Sequence, residues 1–421
     1  MTTKHNHNKK TDGYARRLPT IFINLDNLMK LILNLFFCLF LLNLFGQQTN
    51  KIDKTINSFM NKWEIEGLSI AIINAGDLVY TKGYGYSNIT TKEKVTPKHK
   101  FRIGSISKSI TAVTIFTLME EGKLSLSDKV FGKNGILNDS PYLKILDQRI
   151  LEINVQQLLE HTAGWGKNKS FDPMFKNQLV SDSLHLGRSP TPKDVIIYML
   201  QNHYLDNAPG SKFMYSNLGY CILGRVIEKL TGLDYENAVK KQVLSPLKMF
   251  DTKIGDSKNS GKNESVYYSE DSYISSSAFY PFQEKVKPEY GGFDLSLLDS
   301  CGGWTSSVIV LAKLICALDG YTNRKDIVLP QSLNTMFAAS LENSNYAKGW
   351  FVDTHKNWWH NGSLIGSYGM MAKINDGRGW VILMNNNIWN NKKFYKDVDK
   401  LLFKPTKKLA FSKLINNFTN Y

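Results

Sequence analysis

Cysteine is scarce in this 421-residue chain: Cys38, Cys221, Cys301 and Cys316 are the only four, and no two stand in C-x-x-C spacing. A disulfide framework and the common zinc patterns are thereby set aside, and no metal or other cofactor is expected. Also missing is any long basic block or basic stripe interleaved with aromatics, although the net charge is +15. Nucleic-acid binding is the weaker account of that charge, and a solvated basic surface facing anionic envelope polymers the stronger. No internal repeat is visible.

A membrane span of about 20 apolar residues is not evident either. The run from Leu31 to Phe45, broken by Asn34 and Asn43, is fifteen residues long and follows Met29-Lys30. That length suits the apolar region of a secretory signal, with cleavage after Gly46 and a polar upstream extension before Met29. The expectation is a periplasmic or secreted protein with no stable membrane anchor once the signal is removed. An uncleaved segment would make it an anchor instead. Three parts follow: residues 1–46 as extension and signal, 47–405 as the working domain, and 406–421 as a tail.

What is present is an ordinary globular composition, 42% hydrophobic and 21% charged. Residues 51–66 place Ile52, Ile56, Phe59 and Trp63 at helical spacing, with Gly67 as the expected stop. Two β-rich runs then flank Asn74-Ala75-Gly76-Asp77, a hairpin signal. The middle of the chain is mainly helical, with a helix near 194–201 and an apolar helix ending at Gly232. Residues 255–290, rich in Ser, Asn, Lys and Tyr, read as a long surface insertion that could face a substrate. Strand character returns in the last hundred residues, where Asp376-Gly377 separates two apolar runs, and an amphipathic helix follows near 394–403. The pattern is that of an α+β domain: an antiparallel sheet built from both chain ends, flanked by helices, with an inserted helical region.

The stretch FRIGSISKSITAVTIFTLMEEG, residues 101–122, organises the rest. Its apolar residues recur all round a helix, which marks it as buried, and Gly122 is a natural stop. Ser105 and Lys108 are three apart and would share one face of the first turn. A lysine there opposes the helix dipole, so it has no local structural purpose. Its functional reading is a hydroxyl nucleophile beside an amine that handles its proton. The plain alternative is a solvated lysine beside a helix-start serine, and Ser245 with Lys248 has the same spacing.

Two further motifs carry chemistry. Tyr215-Ser216-Asn217 follows a Pro-Gly turn and precedes an apolar helix, offering a phenol for proton transfer and an amide for a substrate carbonyl. The matches at Tyr86, Tyr235 and Tyr321 lie in less suitable places. His360-Asn361-Gly362 sits on a strand followed by Ser363, whose N–H could help hold an oxyanion; His185-Leu186-Gly187 is a rival in a polar loop. His161, followed by Thr-Ala-Gly, reads as a helix-end hydrogen bonder more readily than as a base.

In this order FRIGSISKSITA, LLEHTAGW, APGSKFMYSNLGYCILG, GGWTSS and HNGSLIG resemble the serine β-lactamase and penicillin-binding superfamily. The branch they are most similar to is the class C β-lactamase-like group with its esterases and D-amino-acid peptidases. The resemblance spans about residues 51–405. It implies Ser105 as acylated nucleophile, Lys108 and Tyr215 as proton-handling pair, and Asn217, His360 and Gly362 on the substrate side. It also implies an oxyanion hole from the N–H groups of Ser105 and Ser363, with Lys108 hydrogen-bonded between Ser105 and Tyr215. Where relatives that destroy antibiotics carry K-T-G, this chain has His360, a poorer partner for a carboxylate. The implied activity is therefore that of an exported serine hydrolase on a small ester, D-amino-acid amide or peptidoglycan-like peptide. A weak β-lactamase or D-Ala-D-Ala carboxypeptidase is the alternative enzyme, and a non-catalytic binder of cell-wall peptides the alternative outside catalysis.

Overall fold

Side chains along a strand alternate between two faces, and β1 (Gly67–Asn74) is apolar on both. Leu68, Ile70 and Ile72 join one buried cluster, while Ala71 and Ile73 join another. Such a strand needs a layer of cover on each side. The structure, a computed structural model, describes residues 1–3, 25–166, 171–269, 273–322, 324–388 and 391–407. In it β1 lies inside a seven-stranded sheet with β2 (Asp77–Asn88), β3 (Glu93–Lys94), β4 (Phe351–Val352), β5 (Trp358–Leu364), β6 (Ser367–Lys373) and β7 (Arg378–Met384). The spatial order is β3-β2-β1-β7-β6-β5-β4, with every pairing antiparallel. The two ends of the chain meet where β1 pairs β7, from Leu68 opposite Met384 to Asn74 opposite Arg378.

Five helices matter here: α1 (Leu25–Trp63), α2 (Ser107–Glu120), α3 (Asn217–Thr231), α4 (Val308–Cys316) and α5 (Lys392–Leu401). Ile52, Ile56 and Phe59 of α1 and Phe394 and Val398 of α5 cover one face of the sheet, against Ile70, Met370 and Ile382. The helical insertion covers the other face, with α4 on β1, β6 and β7 and the turn before α2 on β5 and β6, in a core that includes Ala71, Met371, Val381 and Leu383, while α3 packs behind against α2. The α+β architecture read from the sequence is the architecture observed.

The chain divides into two compact units, Met1–Lys51 and Ile52–Tyr421. Within the first, α1 exposes Met29, Leu31, Ile32, Leu33 and Leu35. Residues 4–24 of the expected extension and 408–421 of the expected tail lie outside the described residues. Among the described residues no helix is long and apolar enough to cross a membrane.

Two local expectations are corrected. The first helix ends at Trp63, not at Gly67, because Glu64 takes a left-handed φ of 51° and turns the chain, and Gly67 already opens β1. The segment 255–290 is no open loop: Ser275–Ser276 pairs with Lys285–Val286, and the buried Arg102 guanidinium donates to the carbonyls of Asp256 and Glu289 near its two ends. The helix expected near 194–201 is found as Pro192–Asn202, capped by Thr191 and Asp194.

Ile382 is fully buried between β1 and the covering helices. Its truncation to alanine should lower the unfolding free energy by about 2–5 kcal/mol without changing the denaturant slope, measured by urea unfolding.

Candidate active site

A buried ammonium is tolerated only when its three donors all find acceptors. Lys108 at the start of α2 is fully buried. Its Nζ donates to Ser105 Oγ at 3.0 Å, to Asn217 Oδ1 at 2.7 Å and to the carbonyl of Cys301 at 2.6 Å. Ser105 lies one turn earlier, in the short 3-10 turn Gly104–Ile106 that leads into α2. Asn217 is the first residue of α3, whose N-cap Ser216 accepts from the N–H of Gly219 at 3.2 Å. Three distant segments thus converge on one cation.

Ser105, Tyr215, Asn217, Asn361 and Ser363 line one partly open cavity of about 420 Å³, with Phe171, Phe175, Phe293 and Phe351 among its walls. Glycine brings β5 against the serine turn. A Cβ on Gly362 would stand 1.8 Å from the Ile103 carbonyl oxygen and 2.9 Å from the Ser105 nitrogen. Gly104, at φ +50°, would place one 2.8 Å from the Ser363 nitrogen. Only residues without a side chain permit this backbone contact, which brings the strand carrying Ser363 against the turn carrying Ser105.

Tyr215 meets Lys108 differently from expectation. The ammonium lies 4.9 Å from the centroid of its ring, and the third donor that could have reached the phenol goes to Cys301 instead. Tyr215 also packs on His161, ring centroids 4.2 Å apart.

His360 is a second correction. Its ring is 1% exposed and does not line the cavity, so it is not on the substrate side. Strand periodicity explains this: in β5, Trp358, His360, Gly362 and Leu364 are buried, whereas Asn361 and Ser363 are part exposed. Gly362 likewise makes room for the serine turn and offers a substrate no side chain. No residue of 255–290 lines the cavity among the described residues; Gly292 and Phe293, just beyond that segment, do.

Behind the cavity His360 belongs to a directional chain. The Ser216 N–H donates to His161 Nδ1 at 3.1 Å, which leaves the proton of a neutral ring on Nε2, 3.1 Å from the Tyr346 hydroxyl. His360 Nδ1 donates to the carbonyl of Asn361 at 2.7 Å, so its Nε2 accepts from Tyr346 at 3.3 Å. Tyr346 therefore accepts from one histidine and donates to the other. Burial holds His360 down to a pKa of about 3, helped by the neighbouring Lys108 charge, and the bond to Asn361 only partly opposes them. His161 is held well below the ordinary histidine value by burial, then by Lys108 and His360.

Sequence reading missed three groups. A carbonyl such as that of Cys301 leaves no sequence signal. Tyr346 stood in no motif. Asp172 had one: Asp-Pro is a helix-start signal. Asp172 caps the turn Pro173–Phe175 and accepts from Asn217 Nδ2 at 2.6 Å, fixing that amide so that its oxygen faces Lys108. Among the described residues no group of three His, Cys, Asp or Glu could hold a metal ion.

Tyr346→Phe keeps the ring but strips a donor and an acceptor from two buried histidines. It should cost about 2–4 kcal/mol of stability in urea unfolding. A second test follows from His360, which is protonated near pH 6.5 when unfolded but only near pH 3 when folded. The unfolded state binds more protons between those values, so this residue makes stability fall as pH falls through that window. His360→Gln should flatten the slope of unfolding free energy against pH there by up to about 1.4 kcal/mol per pH unit.

The family model described as Beta-lactamase matches residues 52–402. Protein flp of Staphylococcus aureus (strain N315) is 26% identical over 341 residues, covering 80% of this chain and 63% of that protein. The chain thus spans 63% of the length of that curated relative. Among solved structures, the octameric penicillin-binding protein homologue from Pyrococcus abyssi is 26% identical with a TM-score of 0.64, covering 86% of this chain and 79% of that one. D-amino acid amidase from Ochrobactrum anthropi SV3, complexed with L-phenylalanine amide, is 19% identical with a TM-score of 0.66, covering 86% and 99%. At that identity the last likeness speaks for the fold.

Proposed function

Because the chain belongs to the beta-lactamase family, we propose that it is a serine hydrolase that forms an acyl-enzyme on a small ester, a D-amino-acid amide or a peptidoglycan-like peptide. The observation that carries this reading is the 3.0 Å bond from the buried Lys108 ammonium to Ser105 Oγ at the wall of an open cavity. A module that only binds peptides has no use for a buried cation aimed at a hydroxyl. In the proposed reaction Ser105 Oγ bonds to the acyl carbon while the N–H groups of Ser105 and Ser363 receive the developing oxyanion. With the Lys108–Tyr215 pair one proton short, the pair takes the serine proton and hands it to the leaving oxygen or nitrogen as its bond to carbon breaks. Water then attacks the ester and returns Ser105. Asn217 has one amide hydrogen left after Asp172 takes the other, and that hydrogen is free for a substrate carbonyl.

The weak β-lactamase or D-Ala-D-Ala carboxypeptidase reading needs a cation for the substrate's carboxylate. His360 does not supply it, being buried and neutral. Export is part of the proposal, supported by the exposed apolar helix side chains Leu31, Ile32, Leu33 and Leu35 behind Lys30.

A fluorophosphonate probe should label the protein stoichiometrically, and Ser105→Ala should abolish labelling; retained labelling would mean the nucleophile lies elsewhere. Nitrocefin should turn over slowly or not at all, and fast turnover would restore the β-lactamase reading. Mass spectrometry of the native protein should find the mature N-terminus near Gln47, whereas an intact 1–46 segment would refute cleavage.

A further inference from the structure

Among the described residues, the cavity beside Ser105 is lined by a single formally charged side chain, a carboxylate. Its lining among those described residues includes no Lys or Arg side chain, and the Lys108 ammonium behind it has all three donors committed. One carboxylate, Asp172, lies on its wall. The same residue borders an adjoining cavity whose walls, among the described residues, hold Asp206 and no Lys or Arg. His203, also there, is kept below the ordinary histidine value by burial and adds no fixed cation.

Asp172 is held in place without being used up. Oδ2 accepts from Asn217 Nδ2 at 2.6 Å and Oδ1 from the Met174 N–H at 3.2 Å. A carboxylate has about four acceptor sites, so sites remain for a ligand. Its position is informative: Ser105, Lys108, Asn217 and Asp172 form a row joined by hydrogen bonds, which puts the carboxylate one amide group beyond the cation. Phe171 and Phe175 flank it in sequence and line the same cavity, and aromatic faces also favour a cation.

We propose that Asp172 is a specificity-determining residue that selects acyl groups carrying a protonated amine next to an apolar, ring-sized side chain. Amides or esters of amino acids with a free amino terminus fit this description; substrates whose only charge is a carboxylate do not. The inference rests on the serine-hydrolase reading of this same cavity. An amine beside the acyl carbon donates to Asp172 while the carbonyl faces Ser105, and the apolar body lies against the phenylalanine walls. A charge-assisted bond of this kind is the stronger class of hydrogen bond.

The test compares p-nitroanilides of D- and L-phenylalanine with that of 3-phenylpropionic acid, which lacks only the amine, using the full chain. For wild type, kcat/KM for the better phenylalanine enantiomer should exceed the des-amino compound at least about tenfold, or about 1.4 kcal/mol. In Asp172→Asn, whose single oxygen can keep the bond from Asn217 at the cost of the Met174 cap, that ratio should fall towards one. Taking the ratio within each protein cancels any general loss of catalysis. A wild-type ratio near one, or a ratio unchanged in Asp172→Asn, overturns the proposal. Should no anilide be cleaved while p-nitrophenyl acetate is hydrolysed in a Ser105-dependent way, amine selection fails and the hydrolase reading stands. Absence of any Ser105-dependent turnover removes both.

Discussion

A single buried ammonium sets the terms for the middle of this protein. Lys108 is sealed from water, and a cation in that position needs three acceptors or the fold pays several kcal/mol. The acceptors come from the turn before α2, from the first residue of α3 and from the Cys301 carbonyl. Each of those positions is fixed by something local: Gly104 in a left-handed turn, the Ser216 cap, the short helix Asp299–Gly302. The apolar surroundings of α2 make an empty acceptor costly, and this ties the nucleophile's geometry to the stability of the core.

Front and back of the site have different duties. The front is a cavity wall of Ser105, Asn217, Asn361 and Ser363. The back is a closed row of neutral rings, His161, Tyr346 and His360, anchored at one end to the Ser216 N–H and at the other to the Asn361 carbonyl. Neutrality follows from place: burial and the nearby Lys108 both disfavour a second cation. The row links the segment that carries Tyr215 and Asn217 to the strand that carries Asn361 and Ser363, so a disturbance at one reaches the other through hydrogen bonds rather than through loose packing.

Much of this could be read from residues alone. The all-round apolar pattern of 106–118 marked α2 as core, and the hairpins at Ala75-Gly76 and Asp376-Gly377 are present with left-handed backbone at Ala75, Gly76 and Gly377. Local chemistry was legible because propensity and pattern act within a few residues. What escaped was set by partners far along the chain. Nothing near Tyr346 announces that it joins residues 185 and 14 positions away. His360 looked substrate-facing because a motif gives order without face, and strand alternation turned its ring inward. The reach of Lys108 towards Tyr215 was misjudged because a backbone carbonyl, invisible in sequence, claimed the third donor.

The most direct measurement is the rate at which a fluorophosphonate acylates Ser105 in Lys108→Met, a change that keeps length and removes charge, with the fold verified by circular dichroism. Loss of the ammonium should slow acylation by about 10²–10⁴-fold. A rate within about twofold of wild type, in a folded protein, would contradict the dependence of the nucleophile on Lys108.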